Sequence, residues 1–136
     1  MGAPSALLEK QTIYELLNGF LYKNEQIPTA YLNKFITSIG ASQNIAAKLL
    51  GVATRTLQRE LTGKYISDDL SDRLLQIIDL YKEGAEAFYG IDTFKQWLST
   101  EKTTFQGKTP FELLNSTTGI QQVKEEIIRT KLGILS

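Results

Sequence analysis

The chain has 136 residues, 42% of them hydrophobic, and its 15 basic residues balance its 15 acidic residues. This length suits one domain or two small ones, with enough apolar residues for a buried core. The absence of cysteine excludes disulfides and thiolate metal sites, and the absence of histidine removes the usual general base and the commonest transition-metal ligand.

No run approaches the roughly 20 apolar residues that a membrane-spanning helix needs. The first residues do not resemble a secretory leader, so we expect a cytoplasmic protein. No constellation of side chains indicates a cofactor, a metal site or a small-molecule substrate. Only three prolines, together with abundant Leu, Ile, Glu, Lys and Gln, predict an all-α fold.

Residues 5–20 predict an amphipathic N-terminal helix, which a polar linker joins to the rest of the chain at about residue 28. Its apolar positions recur with helical spacing, at Ile13, Leu16, Leu17 and Phe20. Two interpretations stay open for this stripe. It packs on its own domain, or it contacts a second copy of the chain or another partner.

Residues 42–63 predict two short helices that are joined by a tight turn at Gly51, after a helix that Thr29 is expected to cap. Ala47 allows the two helices to cross closely, and Gly51 permits the backbone conformation that ends the first one. Leu57 faces inward in the second. This pattern resembles a helix-turn-helix in its Xre-like form.

Two positions depart from that pattern. Ala53 stands where a capping serine is usual, so either Thr54 caps the second helix instead or the cap is weak. Glu60 stands where an apolar residue is common, and its charge would repel phosphate. The simpler alternative is that these helices are only a hairpin in an all-α core.

Charge distribution favours DNA binding over this alternative. Residues 29–66 carry five cations against one acid, whereas residues 67–92 carry two cations against seven acids. Positive charge is therefore concentrated around the second short helix, as phosphate binding requires. The candidate DNA-binding residues are Thr54, Arg55, Thr56, Gln58, Arg59 and Lys64.

A long helix over about 68–89, capped by Ser67, is predicted next. Its aspartates are interpreted as a solvated face that compensates the helix dipole, rather than as a metal site. Asp92 is expected to cap a helix over 92–99, whose Trp97 is interpreted as a core residue. Short and long helices follow over 111–114 and about 118–132, the first opened by Thr109 and Pro110.

The C-terminal segment carries a second resemblance, with its spacing preserved across separate motifs. Its matching positions are Trp97, Leu98, Gly107, Pro110, Leu113, Leu114, Gly119, Val123, Arg129 and Gly133. They make the segment similar to the toxin-binding domain of Xre/MbcA/ParS-type antitoxins of the RES–Xre toxin–antitoxin family. Together with the helix-turn-helix, the resemblance covers residues 30–135. Glu126 and Thr130 depart from it, at positions that are often apolar.

The resemblance implies three segments: an N-terminal helix and linker over 1–28, a DNA-binding domain over 29–90, and a toxin-binding domain over 91–136. It implies a homodimeric antitoxin, not an enzyme, that blocks the active site of a RES-domain NAD-degrading toxin. It also implies that the protein represses its own operon by binding operator DNA. The predicted toxin-binding residues are Arg129, Lys131, Gly133, Ile134 and Leu135.

Three alternatives remain open from the sequence. The chain is a stand-alone helix-turn-helix regulator whose C-terminal domain dimerises or binds a ligand. Or it is an interaction module that has lost DNA binding, which Glu60 and the neutral net charge favour. An enzyme is the third, and the lack of histidine and cysteine argues against it.

Overall fold

The structure, a computed structural model, describes Gly19 and residues 22–133, and this part of the chain is helical without any strand. The all-α prediction is confirmed. The predicted N-terminal helix, Gly19 apart, and residues 134–136 lie outside the described residues. The α-helices are α1 (Thr29–Ser38), α2 (Gln43–Leu49), α3 (Thr54–Leu61), α4 (Asp68–Ala87), α5 (Ile91–Leu98) and α6 (Thr117–Lys131), with 3₁₀ helices at Thr103–Phe105 and Phe111–Asn115.

The chain divides into two compact units between Asp79 and Leu80, within α4. The sequence expectation places the change of domain later, at residue 90, near the end of this helix.

In the first unit, α3 packs against both α1 and α2. Leu57 of α3 is fully buried with residues from the flanking segments, among them Ile27, Leu32, Leu49 and Ile66. A backbone hydrogen bond joins the two ends of this arrangement. The Ile66 N–H donates to the Ile27 carbonyl at 3.0 Å. The chain after α3 is thereby tied to the chain before α1, which fixes both ends of the three-helix arrangement.

The turn between α2 and α3 forms as the sequence predicts. Gly51 has a φ of 69°, in the left-handed region. The Gly51 and Val52 N–H groups donate to the carbonyls of Lys48 and Ala47, at 3.2 and 3.0 Å. This is a Schellman motif, which satisfies carbonyls that the end of a helix leaves without partners. Ala47 is 2% exposed, so a small side chain does occupy the close crossing.

The predicted cap of α1 is wrong, and of the two alternatives for α3 the structure has the weak cap rather than a Thr54 cap. Pro28 and Ala53 hold the N-cap positions, and neither supplies a side-chain bond. Thr29 is the first residue of α1, and its N–H donates to the Lys64 carbonyl at 3.0 Å. A distant backbone carbonyl has taken the place of a cap. Thr54 is the first residue of α3, and its hydroxyl donates to Asn44 instead.

At the start of α4, the predicted cap is confirmed: the Ser67 hydroxyl accepts from the Leu70 N–H at 3.3 Å. The Ser67 N–H in turn donates to the Glu60 carboxylate at 3.0 Å. Asp68 and Asp69 lie in the first turn, as the dipole argument expects.

The second unit is built around the fully buried ring of Phe94. Tyr81 meets this ring edge-on at a centroid distance of 5.2 Å, and Phe88 and Trp97 stack near it at 5.9 and 6.0 Å. Burial raises the pKa of the Tyr81 phenol. Trp97 is half-buried in this cluster, and the Lys102 ammonium lies 5.5 Å from its ring centroid.

Gly90, not Asp92, is the N-cap of α5. The Gly90 carbonyl accepts from the Phe94 N–H at 3.2 Å, so the helix begins one residue earlier than predicted and Asp92 falls inside its first turn. Gly90 has a φ of 144°, which disfavours other residues there.

The predicted cap at Thr109 is confirmed in the C-terminal part. The hydroxyl of Thr109 accepts from the Glu112 N–H at 3.2 Å, although the helix that follows is 3₁₀ rather than α. The Ser116 hydroxyl accepts from the Gly119 N–H at 3.0 Å and starts α6.

Candidate nucleic-acid interface and partner-binding surface

The outer face of α3 presents Arg55, Gln58 and Arg59 to solvent. Gln58 and Arg59 both lie on the side of Arg55, because residues three and four apart are neighbours on a helix surface. Leu57 anchors the opposite side in the core. Within the described residues, neither Arg55 nor Arg59 forms an ion pair. Both guanidinium groups are thus available for an anionic partner.

The other predicted DNA-binding residues border this face. Thr54 and Thr56 are half-buried at its two margins. Lys64 is exposed just beyond α3, and its ammonium lies 5.8 Å from the centroid of the neighbouring Tyr65 ring. The structure therefore brings Arg55, Gln58 and Arg59 together at the centre, with Thr54 and Thr56 at the edges.

The Glu60 carboxylate, whose charge is expected to repel phosphate, has a backbone partner in the first unit. It is half-buried, and its carboxylate accepts the Ser67 N–H at 3.0 Å. The same charge lies at the start of α4, where the positive end of the helix dipole favours an anion. This capping role accounts for a glutamate at position 60, where the helix-turn-helix pattern often has an apolar residue.

Two side-chain hydrogen bonds join the first turn of α2 to α3. The Gln58 amide donates to the Gln43 side-chain carbonyl at 3.2 Å, and the Thr54 hydroxyl donates to the Asn44 carbonyl at 3.0 Å. No sequence pattern singles out Gln43 and Asn44, because their partners lie 15 and 10 residues away along the chain.

In the second unit, the predicted toxin-binding cations already have partners. Arg129 Nη1 lies 2.7 Å from Glu126 Oε1, and this carboxylate is buried. The Lys131 ammonium lies 2.9 Å from Glu83 and 3.1 Å from Glu86. Its hydrogen bonds to Glu83 and Glu86 raise the pKa of Lys131. Lys131 thus joins α6 to α4, whereas the Arg129–Glu126 pair lies within α6.

Near its C-terminal end, α6 exposes an apolar pair that the sequence prediction assigned to the core side or left out. Ile128 is 40% exposed and Leu132 is 70% exposed. Their spacing of four residues is the signal that puts them on one face. Gly133, with a φ of 76°, ends the helix there. The predicted contacts Ile134 and Leu135 lie outside the described residues.

Among residues 22–133, no group of acidic side chains is arranged to hold a metal ion. In the same part of the chain, no helix has the length and apolarity to cross a membrane.

Two protein-family models match the chain, and they meet near the boundary between the two compact units. Residues 24–79 match the family model described as the antitoxin Xre-like helix-turn-helix domain, and residues 84–133 match the antitoxin Xre/MbcA/ParS C-terminal toxin-binding domain. No curated protein matches the chain. Both family descriptions are of regulatory antitoxin domains rather than of catalysts.

Proposed function

Because the chain belongs to the Xre/MbcA/ParS antitoxin family, we propose that it neutralises a RES-domain toxin that degrades NAD⁺ and represses its own operon. It does so as a cytoplasmic homodimer, without catalysis of its own. The observation that carries the DNA-binding half is the face of α3, on which Arg55, Gln58 and Arg59 are exposed together.

The charge of this face matches operator DNA. Arg55 and Arg59 each offer a guanidinium fork that fits a phosphate or the O6 and N7 atoms of guanine. Lys64 adds a third cation at the margin, and Thr54 and Thr56 supply hydroxyl groups. Glu60 is engaged at the start of α4, so its carboxylate is not an unpaired charge facing the DNA backbone.

The DNA-binding half is tested with Arg55→Ala combined with Arg59→Ala, against the DNA upstream of the protein's own gene. The matched control is Lys23→Ala combined with Lys108→Ala, which removes two exposed cations away from α3. We expect the first variant to lose gel-shift affinity, and its salt dependence to fall by about one unit for each phosphate that it no longer binds. Equal affinities of the two variants would contradict the assignment.

For the toxin-binding half, the exposed Ile128 and Leu132 supply apolar surface on α6, continuous in sequence with the predicted contacts Ile134 and Leu135. An apolar side chain that becomes fully buried at an interface contributes about 1.5–3 kcal/mol. Lys131 holds α6 against α4 through its ion pairs, and Arg129, which pairs with Glu126 of the same helix, keeps a 45% exposed side chain. We place the toxin-blocking segment at residues 128–135.

Two experiments test the toxin-binding half. The first is co-purification of this protein with the product of the adjacent gene, and the second measures the NAD⁺ content of cells that express both proteins. Ile128→Ser combined with Leu132→Ser should abolish co-purification and restore NAD⁺ loss, whereas Gln122→Ser, an exposed α6 change, should not. Both variants should still shift operator DNA. Operator binding by the native chain without capture of the adjacent product would instead indicate a stand-alone regulator.

A further inference from the structure

The two hydrogen bonds between α2 and α3 lie at the surface, at the edge of the proposed DNA-binding face. All four side chains are polar and uncharged, and Gln43, Asn44 and Gln58 are exposed. Exposed neutral groups exchange such bonds with water at little net gain, so these two bonds contribute little to the stability of the fold. Their effect is to favour one orientation of the side chains that they join.

The Gln43–Gln58 bond leaves the Gln58 amide able to contact a base. Gln58 uses one N–H for Gln43 and keeps its second N–H and its carbonyl oxygen. Within the described residues, that amide has no other partner. An amide with one donor and one acceptor matches adenine in the major groove, which offers N7 as acceptor and N6–H as donor.

We infer that Gln58 determines specificity by contacting an adenine, and that Gln43 is the positioning residue that holds its amide for that contact. Asn44 acts in the same way on α3, because its bond to Thr54 ties the first turn of α2 to the first turn of the recognition helix. A flexible glutamine loses rotamer freedom on contacting a base, and a Gln58 that is already held loses less. The inference rests on the proposed DNA binding.

The test is selection of binding sites from random duplex DNA by the full-length protein. We expect the selected sites to share an adenine at one position of each half-site. Gln58→Ala should remove that preference, with a loss of discrimination of roughly 5- to 150-fold at this position only. Gln122→Ala, which truncates an exposed glutamine on α6, is the matched control and should leave the preference unchanged.

Two variants test whether Gln43 positions the Gln58 amide. They distinguish that effect from a change in the charge or the folding of the protein. Gln43→Ala should weaken the adenine preference several-fold without changing the melting temperature. Gln43→Glu keeps an oxygen that accepts from the Gln58 amide, so it should retain the adenine preference. Its added negative charge should lower the affinity for all sequences alike, most strongly at low salt.

The outcomes separate this inference from the proposed function. An adenine preference that survives Gln58→Ala, or that Gln43→Ala leaves at its native strength, would overturn the inference while DNA binding stands. Failure of the native protein to enrich any sequence over Arg55→Ala combined with Arg59→Ala would overturn the proposed DNA binding itself.

Discussion

At Gly119, α6 passes so close to the carbonyl oxygen of Leu113 that a β-carbon would lie 1.7 Å from it. Backbone cannot yield as a flexible side chain can, so Gly119→Ala should lower the free energy of unfolding of the second unit by about 2–3 kcal/mol or more. Gly63→Ala is the matched control, since its nearest contact would be at 3.5 Å. Urea denaturation measures both, and similar midpoints would contradict this packing.

Glu126 places a buried carboxylate beside the Arg129 guanidinium at 2.7 Å. Removing only the cation with Arg129→Ala strands that charge, and should lower the free energy of unfolding by about 1–3 kcal/mol. Adding Glu126→Leu replaces the pair with an apolar residue and should restore most of the loss. Thermal melts of the single and double variants decide this, and an equally unstable double variant would contradict it.

The end of α6 is joined to the end of α4 by the Lys131 ammonium and its two glutamate partners. The pKa of Lys131 is raised above its ordinary value of 10.5 by these hydrogen bonds. A raised lysine pKa means that the stabilisation is complete below about pH 10.5 and is lost as the pH rises through the folded value. At neutral pH it is worth less than about 1 kcal/mol, because the group is partly exposed.

Lys131→Met should therefore unfold slightly more readily than the native chain at neutral pH. The difference should narrow as the pH rises through the raised pKa of Lys131, and also in concentrated salt, which screens exposed charges. The measurement is the difference in free energy of unfolding between the two proteins at each pH. A difference that persists unchanged in strong alkali would show that lost packing, rather than charge, is responsible.

Helix ends are predicted correctly where the residue that forms the end lies within a few residues of its bonding partner. Gly51 and Thr109 act within a few residues of their own helices, and both are predicted from the sequence. Thr29 is not the cap that the sequence predicts, because the Lys64 carbonyl that replaces it is distant in the chain, as is Asn44, the partner of Thr54. The 3₁₀ turn at Thr103–Phe105 lies in a polar stretch without any apolar periodicity.

In the whole molecule and its candidate sites, too, features with a local sequence signal are predicted, whereas features that depend on helix packing are not. Family resemblance predicts the helix-turn-helix and the C-terminal antitoxin domain, and both domain matches confirm that family assignment. The partners of Gln58 and Lys131 depend on how the helices pack, which no local pattern encodes. The predicted toxin-binding cations thus proved to lie in ion pairs, while Ile128 and Leu132 became visible only as exposed side chains.

The last prediction concerns assembly. A single helix-turn-helix covers too few base pairs for tight binding, and two-fold operators need two recognition helices at a fixed spacing. We expect light scattering at micromolar concentration to give twice the mass of one chain.

Leu17→Ser combined with Phe20→Ser tests the apolar stripe predicted in the N-terminal segment and should yield a folded monomer with weaker operator affinity. Tyr22→Ser, at a 93% exposed position, is the control. A monomeric mass for the native chain would contradict the homodimer, and an unaffected dimer in the double variant would show that the interface lies outside this stripe.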